Sequence, residues 1–256
     1  LIDIHSHVLF GVDDGAKTIE DSLAMVRMAA EHGTTDIVAT PHASPAYKFD
    51  PERNLDRLAQ IEEQAGGVLR LHTGCDFHLS FDNIQDAIEH PDKYTIDHKN
   101  YLMVEFSDML VFHNTAEIFG RLMDAGMIPV ITHPERNPLL RQRLDTMETW
   151  IAEGARVQVT AQSLTGRFGK RAEACAKELL NRGMVHVIAS DGHDVVHRPP
   201  CMDEAFEWLK ANYSESTAKL LCITNPGAAL ASEPMQAAGA GESRGAKGRW
   251  FEFWKR

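Results

Sequence analysis

Short apolar, β-branched runs recur along the chain at residues 2–4, 36–39, 68–71, 101–104, 128–131, 156–159 and 185–189, with helical patterns between them. After Thr18, an N-cap residue, Ile19, Leu23, Val26 and Ala30 repeat at helical spacing, and Gly33 is placed to close the helix. Asp50-Pro51 opens the next helix with a cap and a proline at its first position, and Gly66-Gly67 ends it. Ala125-Gly126, Glu153-Gly154 and Arg182-Gly183 each stand just before a strand, where a helix-terminating glycine belongs. Such alternation predicts parallel pairing and an α/β fold, and seven strand-like runs in this length favour a barrel over an open sheet.

That pattern occupies residues 1–230, which read as one domain. Residues 231–248 are rich in Ala, Gly and Ser and read as a disordered linker, ending in Arg249-Trp250-Phe251-Glu252-Phe253-Trp254-Lys255-Arg256. The tail, 231–256, is net basic and its aromatic terminus suits a membrane surface or a partner groove. No internal repeat is visible.

The chain has 256 residues, 43% hydrophobic and 25% charged, enough to bury a core without disulfides or structural metals. Its net charge of −11 argues against a duplex-binding module, which needs a basic face. No apolar run approaches the roughly 20 residues of a membrane helix, and the start has no basic segment followed by a signal-peptide core. The cysteines, Cys75, Cys175, Cys201 and Cys222, lie far apart and form no CxxC pair. Reduced thiols and a cytoplasmic location are expected.

The chemistry sits immediately after the strands. Ile2-Asp3-Ile4 runs into His5-Ser6-His7, and residues i and i+2 of an extended segment face the same way. An acidic loop holding Asp13 and Asp14 follows. His42 comes after the second run, Asp76 after the third (Leu71-His72-Thr73-Gly74-Cys75-Asp76), Glu105 after the fourth and His133 after the fifth. Asp191-Gly192-His193 closes the last run with another i, i+2 pair. In a parallel barrel all these ends lie on one face, where active sites are built. A lone His or Asp after a strand is usually a cap; six of seven strand ends are hard to read that way.

Five imidazoles and four carboxylates without thiolate suit Zn, Mn, Fe or Ni and disfavour Ca or an iron–sulfur centre. Nine ligands are too many for one ion and suit two or three. Three divalent ions against four carboxylates leave a local positive charge matched to a phosphate dianion, and closely spaced ions lower the pKa of a bridging water to supply a hydroxide nucleophile. Arg136 and Arg198 follow ligands closely, and a guanidinium fork fits phosphoryl oxygens. No cysteine has an arginine six positions on, so a thiolate phosphatase mechanism has no candidate, and no GxxxxGK[ST] loop is present.

At these residues the sequence resembles the polymerase-and-histidinol-phosphatase (PHP) superfamily of distorted (β/α)7 barrels with a trinuclear metal site. Within it, IDIHSHVLFGVDDGAKT, VITHPER and VHVIASDGHDVVHRPP resemble the manganese-dependent tyrosine-protein phosphatases of bacterial capsule and exopolysaccharide operons. The resemblance implies that His5, His7 and Asp191 hold one ion, with Asp76 bridging to a second held by Glu105 and His133. Asp14, His42 and His193 would hold the third. Arg136 and Arg198 match the arginines expected to bind substrate phosphate. The implied cofactor is Mn2+, up to three ions, with Zn2+ or Fe2+ as substitutes, and the implied partner is a tyrosine autokinase of polysaccharide export. The bridging position is usually Glu in the family, so Asp76 is a departure, and His78 beside it is a second candidate ligand. Between Asp13 and Asp14, the motif match prefers Asp14.

Two other functions share these residues. One is a PHP-type phosphomonoesterase acting on a small substrate such as histidinol phosphate. The other is a catalytically weak metal-binding regulator in which Asp76 has broken the bridge. Nucleic-acid phosphodiester cleavage fits poorly with the acidity.

Overall fold

Every strand in the computed structural model, which describes residues 1–236 and 239, pairs in parallel. The strands are β1 (Ile2–Ser6), β2 (Asp36–Ala39), β3 (His42–Ala43), β4 (Arg70–Thr73), β5 (Asp76–His78), β6 (Tyr101–Glu105), β7 (Ile128–Ile131), β8 (Arg156–Thr160) and β9 (Val187–Ala189). They form one sheet in the order β1-β2-β4 and another in the order β3-β5-β6-β7-β8-β9. β2 and β3 are one strand position broken at Thr40-Pro41, and β4 and β5 another broken at Gly74-Cys75. Seven positions therefore curl into a distorted (β/α)7 barrel, as the pattern of apolar runs predicts. The seam between β9 and β1 is made by the bridge Ser6–Gly192, with His7 N–H donating to Gly192 O at 2.8 Å and Asp191 N–H to His5 O at 2.8 Å.

The two breaks are absent from the sequence reading. β3 and β5 have two and three residues, too short for a period-2 signal, and follow a proline and a glycine that read as loop. Their register sets His42 opposite Asp76, so the breaks align two candidate ligands side by side.

The helices begin and end where the local chemistry predicts. In α1 (Ile19–Glu31), Thr18 accepts from Asp21 N–H while Asp21 accepts from Thr18 N–H, a reciprocal capping box, and Gly33 turns out of the helix at φ +82°. Its buried Leu23, Met25 and Val26 face the sheet, each contributing about 1.5–3 kcal/mol by leaving water. In α2 (Pro51–Ala65), Asp50 caps the Arg53 N–H and Gly66 takes the left-handed conformation. The remaining helices are α3 (Phe81–Glu89), α4 (Thr115–Asp124), α5 (Leu144–Ala152), α6 (Ala161–Leu164), α7 (Gly169–Asn181), α8 (Asp203–Asn212), α9 (Glu215–Lys219) and α10 (Asn225–Ala231). A π-helical turn, Leu220–Thr224, joins the last two.

Ile4, Val38, Met103, Val130, Val187 and Ala189 pack together inside the barrel with Tyr101, Ala229 and Met235. The last of these lies beyond the expected domain boundary. Tyr101 Oη donates to Glu233 O at 2.7 Å and accepts from Met235 N–H at 3.2 Å, while the buried Asn225 amide exchanges two hydrogen bonds of 2.9 Å with the Gln236 backbone. The chain is thus tied to the barrel as far as Gln236, and the aromatic–basic terminus lies outside the described residues. No helix among the described residues is long and apolar enough to cross a membrane.

Candidate metal centre

All nine predicted ligands come from the C-terminal ends of the strands and the loops that follow, and they converge in space. The donor atoms of seven of them form three overlapping groups: His7, Asp14, His42 and His193; His5, His7 and Asp76; and His42, Asp76 and Glu105. His7, His42 and Asp76 are each shared between two groups. Asp191 Oδ1 lies 3.5 Å from His7 Nε2 and 3.6 Å from His5 Nε2. His133 stands at the edge, its Nε2 3.8 Å from Glu105 Oε1 and its ring 5.6 Å from that of His5. His78 also reaches Glu105, at 3.7 Å.

Partners fix the imidazole orientations. His7 Nδ1 sits 2.7 Å from Asp13 Oδ2, His5 Nδ1 3.1 Å from Gln158 Oε1, and His193 Nδ1 3.0 Å from Asp191 O. Each contact suits a proton on Nδ1, which would leave the Nε2 lone pair to face inward for a metal. Asp13 therefore supports His7 from behind, while Asp14 faces His42 Nε2 at 3.3 Å and His193 Nε2 at 3.5 Å. The motif match prefers Asp14 over Asp13, while sequence reasoning misses Gln158. The signal for Gln158 is a polar residue between two valines of a strand run.

The backbone is strained where it presents two of these groups: His133 has φ +33° and Asp191 φ +52°. Gln158 Oε1 also accepts from His133 N–H at 3.2 Å, and His5 O accepts from Asp191 N–H, so hydrogen bonds hold both in place. Next to Asp191, Ser190 donates its N–H and Oγ–H to buried Asp3, at 2.9 and 2.5 Å.

Charge is concentrated here. Burial opposes it, yet Asp13 carries the His7 pKa up to about 9. Against the same burial, Asp14, Asp76 and Glu105 take His42 to about 11. Burial and Arg136 push His133 down to about 3; burial and His7 push His193 down to about 4. Despite their own burial, Asp76 and Asp191 stay well below the usual carboxylate range, Asp76 through His5 and His42, Asp191 through His5, His7 and the arginines.

Asp76 Oδ2 and His42 Nδ1 are buried 3.2 Å apart and neither makes a hydrogen bond. Two unpartnered donor atoms facing one another inside a cluster of imidazoles and carboxylates fit a cation between them. The two arginines expected to contact phosphate both turn toward Asp191. Arg136 Nη1 and Arg198 Nη2 both donate to Asp191 Oδ2, the latter at 2.5 Å. Arg136 still borders open space. A cavity of about 270 Å3 lies between Glu105, Thr132, His133 and Arg136, and another of about 430 Å3 lies beside Asp14, Lys17 and His193.

A parallel barrel carrying clustered imidazoles and carboxylates on its C-terminal rim, with guanidinium groups beside them, defines a metal-dependent hydrolase of the PHP type. The comparisons agree. The chain belongs to the CpsB/CapC family of capsular polysaccharide synthesis, whose sequence model matches residues 1–231. It is 34% identical over 235 residues to a Staphylococcus aureus protein provisionally assigned as the tyrosine-protein phosphatase CapC, covering 88% of this chain and 92% of the relative. It is 30% identical over 225 residues to the tyrosine-protein phosphatase YwqE of Bacillus subtilis, covering 86% and 88%. It also superposes, with a TM-score of 0.87 and 28% identity over 95% of this chain and 99% of the other, on a structure from a study of YwqE and of CpsB from Streptococcus pneumoniae, described as metal-dependent tyrosine phosphatases.

Proposed function

We propose that this chain is a metal-dependent protein-tyrosine phosphatase, with His5, His7, Asp14, His42, Asp76, Glu105, His133, Asp191 and His193 holding Mn2+ ions. The observation that carries the reading is the sharing of His7, His42 and Asp76 between overlapping donor groups, which suits ions a few ångström apart rather than one isolated site. Bound there, divalent ions would supply Lewis-acid polarisation of phosphoryl oxygens and activation of water at neutral pH.

The rest is the work of the chain itself. Asp13 Oδ2, Gln158 Oε1 and the Asp191 carbonyl hold protons on Nδ1 of His7, His5 and His193, keeping Nε2 available. Arg136 and Arg198 stand at the rim, where their remaining N–H groups orient a phosphoryl group and offset its charge. The four cysteines are free, and burial raises the pKa of each, so none is primed as a nucleophile.

The partner in this reading is a bacterial tyrosine autokinase, and the site of action is the cytoplasm; both rest on the family resemblance. The test is phosphate release by chelator-stripped protein with and without Mn2+, comparing a phosphotyrosine peptide with a phosphoserine peptide and histidinol phosphate. Mn2+-dependent turnover that favours phosphotyrosine is expected. Preference for histidinol phosphate would transfer the function to a small metabolite, and no turnover with any divalent ion would overturn the enzyme reading.

A further inference from the structure

Phe168 is a large aromatic side chain that joins none of the buried apolar clusters. Its ring lies instead against two cations: Arg136 Cζ is 4.3 Å from the ring centroid and Arg198 Cζ 5.9 Å. Both distances fall within the range in which a guanidinium is attracted to the negative face of an aromatic ring. The same two guanidinium groups meet at Asp191 Oδ2, so each is held from two directions.

The segment that carries Phe168 is built to hold it still. Gly166 at φ +82° and Gly169 at φ +83° bracket it, and Gly169 N–H donates to Gly166 O at 3.0 Å, closing a tight turn between α6 and α7. α6 is strapped to both arginine-bearing loops. Glu135, the neighbour of Arg136, accepts from Thr160 N–H at 3.0 Å and Ser163 Oγ–H at 2.6 Å. Gln162 Nε2 donates to the carbonyl of Pro199, the neighbour of Arg198, at 2.9 Å. One short helix therefore sets the register of two loops far apart in sequence, and the turn after it places an aromatic face against the arginine of each.

We infer that Phe168 is a positioning residue that makes Arg136 and Arg198 a single two-guanidinium clamp for phosphoryl oxygens. This rests on the proposed role of the arginines in binding phosphate. The clamp works through the π face of the ring and the fixed turn, so a side chain of similar bulk without that face does not replace it. Phe168 touches no reacting atom; its effect falls on phosphate affinity and KM, and the ions and kcat are nearly untouched.

The experiment uses the full chain loaded with Mn2+, carrying Phe168→Leu, Phe168→Ala or Phe168→Tyr, alone and combined with Arg136→Ala and Arg198→Ala. Four quantities are read: inorganic phosphate affinity by calorimetry, KM and kcat with a phosphotyrosine peptide, and bound manganese by elemental analysis. Phe168→Leu is expected to weaken phosphate binding and raise KM by about 5- to 30-fold, with manganese content unchanged and kcat within about threefold. Phe168→Tyr should restore both to within about twofold. In the variant lacking both arginines, Phe168→Leu should add less than about twofold. A Phe168→Leu protein indistinguishable from the parent, or an undiminished effect without the arginines, overturns the inference while leaving the phosphatase reading intact. If removing the arginines leaves phosphate affinity unchanged, the arginine assignment falls and the role of Phe168 with it. Should Phe168→Ala fail to fold, the leucine and tyrosine variants decide.

Discussion

Asp76 Oδ2 lies 3.2 Å from His42 Nδ1, across the β3–β5 register, and also 3.5 Å from His5 Nε2. A single carboxylate oxygen thus faces two imidazoles that between them belong to all three donor groups. The other oxygen accepts from Thr132 Oγ–H at 3.4 Å, which orients it. The shorter side chain therefore reaches both groups without the extra methylene of the usual Glu. Asp76→Asn is expected to lower kcat by at least about 100-fold, with a melting temperature near that of the parent. Asp76→Glu should leave the rate unchanged or reduce it. A gain of more than about tenfold in that variant would favour the weak-regulator reading.

Asp13 gives a separable result because it faces His7 from behind. Asp13→Asn keeps the shape but removes the charge that fixes the His7 proton on Nδ1. Manganese affinity, followed by titration calorimetry, should fall by about 10- to 100-fold. An affinity within twofold of the parent would place Asp13 outside the support of the metal centre.

Gly15 has no room for a side chain. A Cβ there would stand 2.1 Å from His7 O and 2.5 Å from His7 Cβ. Gly15→Ala should displace the loop that carries Asp13 and Asp14 and reduce both metal content and activity, while circular dichroism stays that of a folded barrel. Full activity in this variant would mean that the loop shifts freely and that the fit around His7 is unimportant.

The strand ends were legible in the sequence because each ligand follows an apolar run, and strand–helix alternation places all such ends on one rim. What escaped was whatever depends on contact between distant segments. Asp13, Gln158 and Phe168 are single residues whose meaning comes from His7, His5 and the two arginines. The direction of Arg136 and Arg198 toward Asp191 is likewise a property of three loops meeting. The breaks before His42 and Asp76 were hidden because two- and three-residue strands carry no periodicity.

Residues 231–236 were read as linker because they are small and polar around one methionine, yet Met235 is buried against the barrel floor. A chain ending at residue 236 and one ending at 230 should therefore differ. The shorter one loses that side chain and leaves part of the Asn225 amide unpaired, costing about 2–5 kcal/mol. Differential scanning calorimetry should show its melting temperature lower by roughly 5–15 °C. Equal melting temperatures would return the boundary to residue 230.

His186 supplies a pH dependence away from the metal centre. Burial, aided by Arg156, pushes its pKa down to about 4, and its Nδ1 accepts from Val157 N–H at 3.3 Å. The unfolded chain, with a histidine pKa of about 6.5, binds the proton first. Its contribution is therefore complete above about pH 6.5 and is lost as pH falls toward 4, roughly 3 kcal/mol in all. Urea denaturation between pH 7.5 and 4.5 should show a steeper decline for the parent than for His186→Gln. Parallel curves would assign the acid sensitivity to other groups.

In backbone terms the seam between the last strand and the first has one bridge and two hydrogen bonds, with the Ser190–Asp3 side-chain bonds beside them, and the residues on either side of it are His5, His7, Asp191 and His193. Ions gripped by those four side chains would act as a weld across the most lightly stitched joint of the cylinder. Occupancy and barrel closure then become one equilibrium: each decade of free metal above the dissociation constant adds about 1.4 kcal/mol per ion to the closed form. The protein would thus report the availability of its metal through how tightly its own wall is shut.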